Sequence, residues 1–285
     1  MVYNVKSLID AERDGQTFLS TWRKQPTQTT GANIWFDLSM SPGNPVPNYY
    51  IGTPGIFVPL RQSTDGGIPH GGNVYPKQKF LRMLEAQTVT STAVPLPMIL
   101  LDYIGFYPFV DESVTTEQAL TTNGALPRYA DGVGVQILPV VVAGQTGGTT
   151  FSVKYTNSNG VTGRVTPSHI LGTQAVNGTI LTSGGAVVNS RAPFMALQEG
   201  DTGVRLIESV TFAGVGDIGL VAFALVKVIA KHCIRGIDAP VEQDFFMDSS
   251  SIPEIKDDAY LNFIACPAGT LAAAPIHGYI KTCWI

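Results

Sequence analysis

Residues 214–230 read G-V-G-D-I-G-L-V-A-F-A-L-V-K-V-I-A, and this stretch decides between two folds. Gly214, Gly216 and Gly219 match the G-x-G-x-x-G turn of a dinucleotide-binding unit, in which the turn has to open a helix that binds the pyrophosphate. However, four of the residues 220–230 are β-branched, and the segment shows no polar stripe at helical spacing. The stretch therefore predicts a strand after a glycine-rich turn, and not a cofactor-binding helix.

The segment before this turn also has the pattern of a strand. Apolar side chains fall on one face of residues 204–213, and Glu208 interrupts that face. We expect residues 204–213 and 220–230 to pair as a hairpin across the turn. Asp238 lies about where a dinucleotide fingerprint has its ribose-binding acid, but no alternation of strands and helices surrounds it.

A second hairpin is predicted in the middle of the chain. Residues 151–156, F-S-V-K-Y-T, alternate strictly between apolar and polar side chains, and residues 161–166 alternate again. The connection ends in Asn159-Gly160, a pair that favours the positive φ angles of a tight turn. We expect Tyr155 and Val165 to face a core, with Asn159-Gly160 at the hairpin tip.

The composition of the 285-residue chain suits short strands joined by many turns. It has 30 Gly and 19 Pro, and 14% of its residues are charged, against about 25% in an average soluble domain. Further strands are expected at residues 133–143 and 279–285. We therefore predict an all-β fold, a jelly-roll-like antiparallel β-sandwich formed by residues 76–285. A long, mostly irregular N-terminal arm, residues 1–75, precedes it and contains one short helix at residues 7–15.

Sequence motifs of catalysis do not occur in the chain. There is no P-loop, no G-x-S-x-G elbow and no H-E-x-x-H. The cysteines are widely spaced, and the one metal set that they suggest, Cys266, His277 and Cys283, lacks the close spacing of metal ligands. We expect no catalytic residue, no cofactor and no metal. Carboxylate pairs that hydrolyse glycans have no characteristic sequence spacing, so an enzyme that processes nucleotides or glycans stays the alternative class.

Charge and hydropathy argue against two classes of partner. The net charge is −4 and the basic residues are scattered, which argues against direct binding of nucleic acid. The longest apolar runs, residues 96–104 and 218–226, are too short to span a bilayer. The first residues lack the apolar segment of a signal peptide. We expect a protein that is made in the cytoplasm and does not bind a membrane.

The N-terminal arm is rich in large apolar residues although it has few signals of regular structure. Exposing such side chains costs about 25 cal/mol per Å², and aromatic residues are the usual anchors of protein interfaces. We predict an interface with a neighbouring subunit formed by Trp22, Trp35, Phe36, Tyr49, Tyr50 and Phe57. The alternative is that the arm wraps its own sandwich.

Three stretches in the middle of the chain carry a resemblance. Residues 121–135 read TTNGALPRYADGVGV, residues 155–167 read YTNSNGVTGRVTP, and residues 197–211 read LQEGDTGVRLIESVT. They resemble a family of structural proteins that tailed bacteriophages and prophages encode among their virion morphogenesis genes. The resemblance covers about residues 95–230 and rests on turn and strand motifs, so it implies a shared fold more than a shared site.

The resemblance implies a structural part of a virion. The leading hypothesis is a head decoration or cement protein, which binds the outer surface of the major capsid shell and stabilises it. Its partners would be the major capsid protein of the same phage and further copies of the chain, in a homo-oligomer assembled in the host cytoplasm. Another virion component, such as a major capsid, tail or head-fibre base protein, is the alternative within this class. No catalytic residues come with the resemblance.

Overall fold

A computed structural model describes residues 5–171, 176–183, 192–237, 239–249 and 251–285, and antiparallel strands dominate these residues. The strands are β1 (Thr17–Lys24), β2 (Phe36–Asp37), β3 (Gly43–Asn44), β4 (Val58–Pro59), β5 (Lys79–Thr88), β6 (Leu96–Asp111), β7 (Gln118–Ala119), β8 (Val135–Thr146), β9 (Thr150–Asn157), β10 (Arg164–Val165), β11 (His169–Ile170), β12 (Val204–Phe212), β13 (Ile218–Ile234), β14 (Val241–Asp244), β15 (Glu254–Ile255), β16 (Leu261–Ala265) and β17 (Ile276–Trp284). The prediction of an all-β antiparallel sandwich is confirmed.

Helices are few and short. The α-helices are α1 (Val5–Arg13) and α2 (Gln62–Asp65), and 3₁₀ turns occur at Leu38–Met40, Ser91–Ala93 and Leu181–Ser183. The helix expected at residues 7–15 is present as α1, and Gly15 follows it with a φ of +67°. In the part of the chain that the structure describes, no helix has the length and apolarity needed to cross a membrane.

The longest strands form a central sheet, which we call the long sheet. Its order is β2-β16-β6-β13-β8, and β4 also pairs with β6. Along β13, Val221 and Phe223 face one core while Ala222 and Ala224 face another. A strand that is buried on both faces needs apolar residues at nearly every position. The apolar run after Gly219 therefore forms an interior strand of a covered sheet.

Two further sheets pack against the long sheet. The terminal sheet, ordered β14-β5-β17-β1-β3 with β15 beside β5, forms the first core with it. The small sheet, ordered β10-β9-β12-β7 with β11 beside β9, forms the second core. The third core is built from alternate residues of the same long strands, such as Ile99 and Leu101 of β6. Residues of the N-terminal arm cover it, among them Met40, Tyr50 and Leu60.

The arm is part of the sheets. β1 pairs with β17 over its whole length, from Thr17 opposite Cys283 to Lys24 opposite Ile276. β2 and β4 extend the long sheet. Strands on either side of residue 75, the expected domain boundary, therefore share hydrogen bonds within the same sheets.

Two details of the predicted hairpins are wrong. β12 and β13 do not pair with each other, because β12 belongs to the small sheet and β13 to the long sheet. In the second hairpin, β9 pairs with β10 and Tyr155 is buried as expected, but Val165 is 45% exposed because it lies opposite Lys154 and so takes the face away from Tyr155. Asp238 lies outside the described residues.

Replacing Gly160 tests the turn of the second hairpin. Gly160 has a φ of +80°, and its N–H donates to the carbonyl of Asn157 at 2.9 Å. A β-branched residue resists this conformation, so Gly160→Val is expected to lower the free energy of unfolding by about 1–2 kcal/mol. The matched control is Gly144→Val in β8, where a side chain meets open space. Equal melting temperatures for the two variants would contradict the assignment.

Candidate functional site

The glycine-rich turn connects two sheets. β12 ends at Phe212 in the small sheet and β13 begins at Ile218 in the long sheet, so residues 213–217 cross between them. A dinucleotide site needs the N–H groups of a helix N-terminus directly after the turn. Here a strand follows the turn and continues to Ile234, as the β-branched residues predict.

His70 and the three cysteines are of residue types that commonly serve in catalysis or metal binding. His70 is buried, with Nε2 2.9 Å from the carbonyl oxygen of Ala259, and Lys79 donates to its Nδ1 at 3.1 Å. Burial lowers the pKa of His70 to about 4, so the ring is neutral at physiological pH. Within the described residues the three cysteines are free thiols, and no three His, Cys, Asp or Glu side chains form a metal-binding group.

Four of the six aromatic residues expected at an interface lie in the chain's own cores. Trp22 belongs to the first core, where its ring centroid is 4.5 Å from that of Phe263. Phe36 belongs to the same core, Tyr50 to the third core and Phe57 to the second. Their apolar surface is already removed from water within the chain, as the wrapping alternative expects.

A buried carboxylate fastens the arm to the third core. Asp37 accepts hydrogen bonds from the hydroxyl groups of Tyr50 at 2.5 Å, Tyr103 at 2.6 Å and Ser39 at 2.6 Å, and from the Ser39 N–H at 2.8 Å. Burial raises the pKa of Asp37, while these donors act in the opposite direction. Because Tyr103 lies in β6 and Tyr50 in the arm, the carboxylate holds residues 37–50 against the long sheet.

A buried ion pair fastens a second part of the arm. Arg128 donates to both oxygens of Asp102 in β6, at 2.7 and 2.9 Å. The same guanidinium donates to the carbonyl oxygens of Leu60 and Tyr103. The pair thus joins the arm, the long sheet and the loop after β7, with every bond charge-assisted.

One short segment of the arm leaves several large apolar side chains exposed. Val46 is 66% exposed, Tyr49 53%, Ile51 73% and Ile56 37%, and all four lie between residues 45 and 57. We call these four residues the assembly surface. Beside it, Tyr49 lines a groove of about 190 Å³ together with Pro26, Met40 and Pro42, among others. Apolar side chains grouped on a surface commonly mark sites of protein contact.

The six aromatic residues predicted at an interface share one member with the assembly surface. Tyr49 belongs to it, whereas Trp35 is half-buried and packs against the third core. The aliphatic residues Val46, Ile51 and Ile56 were missed, because residues 45–57 have no strand or helix period from which an outward face could be read. Their position in a Pro- and Gly-rich segment was the available signal.

Comparisons with known proteins find only weak structural similarity. Neither the protein-family models nor the curated proteins contain a match. Among solved structures, the chain is similar to a mutant VP2 protein of infectious bursal disease virus in T=1 particles, with 8% identity over 94% of this chain and 77% of that chain, and a TM-score of 0.16. A structure of T=1 particles derived from infectious bursal virus gives 10% identity over 94% of this chain and 78% of that chain, and a TM-score of 0.16. Scores of this size support no conclusion about fold or function.

Alanine variants of two arm residues distinguish their roles. Trp22→Ala removes a buried indole and is expected to lower the free energy of unfolding by about 3–5 kcal/mol. Tyr49→Ala removes an exposed side chain and is expected to change it by less than about 0.5 kcal/mol. Chemical denaturation measures both values. A Trp22→Ala protein of unchanged stability would contradict its placement in the core.

A nucleotide titration tests the interpretation of the glycine-rich turn. We expect millimolar NAD to leave the melting temperature unchanged, because a strand follows Gly219. A melting temperature that rises with NAD concentration would show binding to the folded state and would restore the dinucleotide hypothesis. Gly216→Ala is the matched variant, since it should leave any such rise intact unless the turn itself holds the nucleotide.

Proposed function

We propose that this chain is a structural protein of a virus particle, which docks on a protein shell through the assembly surface. In its specific form the proposal is a head decoration or cement protein of a tailed bacteriophage, located on the outer capsid surface. Its partners are the major capsid protein and further copies of itself. The observation that carries the proposal is the exposure of Val46, Tyr49 and Ile51 on an arm whose inner side is already buried.

The energetics of the arm support a docking role. Its inner residues are held by Asp37 and Arg128, so the arm can be rigid before any partner binds. A preformed surface loses little conformational entropy on association, which favours affinity. The few charged residues of the chain, 14% in total, also lower the cost of removing surface from water.

The resemblance adds support from a separate part of the molecule. Residues 155–167 and 197–211 contribute β9, β10 and β12 of the small sheet, and residues 121–135 lie in the loop that leads into β8. The resembling stretches therefore cluster around the second core, whereas the assembly surface lies in the arm. The tailed-phage assignment rests on this resemblance, and the docking surface rests on exposure.

Charged substitutions on the assembly surface test the docking role. The double variant Tyr49→Asp with Ile51→Asp should fold normally, because both side chains are exposed. We expect it to bind purified phage heads at least about tenfold more weakly and to self-associate less in sedimentation velocity, since buried charges oppose an apolar contact. Val89→Asp, at an exposed valine outside the assembly surface, is the matched control and should bind like the unmodified protein.

Two results would overturn the proposal. One is full occupancy of phage heads by the double variant, which would place the contact elsewhere. The other is absence of the protein from purified particles of the phage that encodes it. A copy number of many chains per head would support decoration of the shell, whereas a few copies per particle would favour a tail or fibre-base protein.

A further inference from the structure

Three strands of the long sheet bring polar side chains together at one end. β6 ends at Asp111, and the N–H of the next residue, Glu112, donates to the carbonyl of Gly219 at 3.0 Å. On the other side of β13, Ile218 pairs with Thr146 of β8. Gln145 therefore flanks Gly219 opposite Glu112.

Gly219 leaves a gap between the side chain of Glu112 and the backbone of Gln145. A Cβ atom at this position would lie 2.8 Å from Oε2 of Glu112 and 3.2 Å from Cα of Gln145. Any larger residue would thus press against the Glu112 carboxyl group. The last glycine of the G-V-G-D-I-G stretch is needed here for space beside a carboxylate.

The polar atoms around this gap are buried and lack partners. Both carboxyl oxygens of Glu112 and both amide atoms of Gln145 are inaccessible to solvent, and among the described residues none of the four has a hydrogen bond. A buried polar group without a partner costs on the order of 1–3 kcal/mol, and a charge costs more. Burial, together with the carboxylates of Asp217 and Asp111, raises the pKa of Glu112 to about 8.

A second buried carboxylate completes the cluster. Asp217 belongs to the crossover before β13, is 4% exposed, and accepts a hydrogen bond from the Thr149 hydroxyl. Gly147 and Gly214 approach it so closely that a Cβ atom on either would overlap its carboxyl group. The backbone of two loops thus closes around Asp217, which keeps two acids near each other out of water.

We propose that Glu112, Gln145 and Asp217 bind a divalent cation at this end of the second core, and that the ion is Ca²⁺. The donors are two carboxylates and an amide oxygen, the hard ligands that Ca²⁺ prefers. An ion here gives the two partnerless oxygens of Glu112 and the Oε1 atom of Gln145 a role as ligands, either directly or through bound water. The flexible coordination of Ca²⁺ accepts such a mixed set, whereas Mg²⁺ demands near-ideal octahedral geometry.

The proposed ion would connect parts of the fold that are distant in sequence. Glu112 follows β6, Gln145 is the next-to-last residue of β8, and Asp217 lies in the crossover from the small sheet. Binding would therefore tie the long sheet to the small sheet and stabilise the folded state in proportion to ion concentration. This inference is independent of the assembly surface and does not require the proposed function.

Calcium titration of isosteric variants tests the site. In isothermal titration calorimetry of the chelator-treated full chain, CaCl₂ is expected to bind at one ion per chain, and the melting temperature is expected to rise with ion concentration. Glu112→Gln and Asp217→Asn keep the shape of each side chain and remove its charge, so each should weaken Ca²⁺ binding at least about tenfold. Glu199→Gln, at an exposed acid, is the matched control and should bind as the unmodified protein does.

Circular dichroism first establishes that each variant is folded. Loss of binding in both site variants, with binding kept in Glu199→Gln, supports the proposal. A folded unmodified protein that takes up no Ca²⁺ at millimolar concentration overturns it. So does Ca²⁺ binding that neither Glu112→Gln nor Asp217→Asn weakens, because the ion then lies elsewhere. Equal affinity for MgCl₂ and CaCl₂ overturns the assignment to Ca²⁺.

Discussion

The fold depends on covering both faces of the long sheet. β6 and β13 are apolar on each side, and neither side can be left in water without a large loss of hydrophobic stabilisation. One set of their residues is covered by the terminal and small sheets. In the described part of the chain, the opposite set, in the third core, is covered by the arm together with residues such as Ile180 and Phe194. The arm's extended course follows from this requirement.

Buried polar groups decide where the arm lies. Apolar packing is non-directional, so a segment with few regular elements could slide over the third core. Asp37 and the Asp102–Arg128 pair remove this freedom, because each requires donors or acceptors from both the arm and β6. Such groups are costly to bury, and removal of one partner leaves the other without compensation. They hold the arm in a single position, with Val46 and Ile51 facing outward.

The glycine-rich stretch at residues 214–219 helps to enclose buried carboxyl groups. Its glycines admit the backbone beside Asp217 and leave space beside Glu112, so small residues gather where carboxylates are buried. The same spacing of glycines that elsewhere cradles a phosphate here lies against two buried carboxyl groups. A glycine pattern indicates that the backbone passes close to another group. Whether that group is a phosphate or a carboxyl group depends on the residues that surround the glycines.

Local pattern determined which segments are strands. Alternation in residues 151–156 and β-branching in residues 220–230 are properties of neighbouring residues, so they could be read from the sequence alone. The pairing of the strands could not be read in this way, because period-two alternation shows which residues are extended but not which strand they bond to. β12 and β13 are neighbours in the sequence, and yet they belong to different sheets.

The composition marked the arm's aromatic residues as sites of burial. Only the tertiary structure decided that Trp22 is buried within the chain while Tyr49 stays exposed. The grouping of Glu112 with Asp217 also arises only in the folded chain, because the ends of β6 and β13 are brought together by sheet formation.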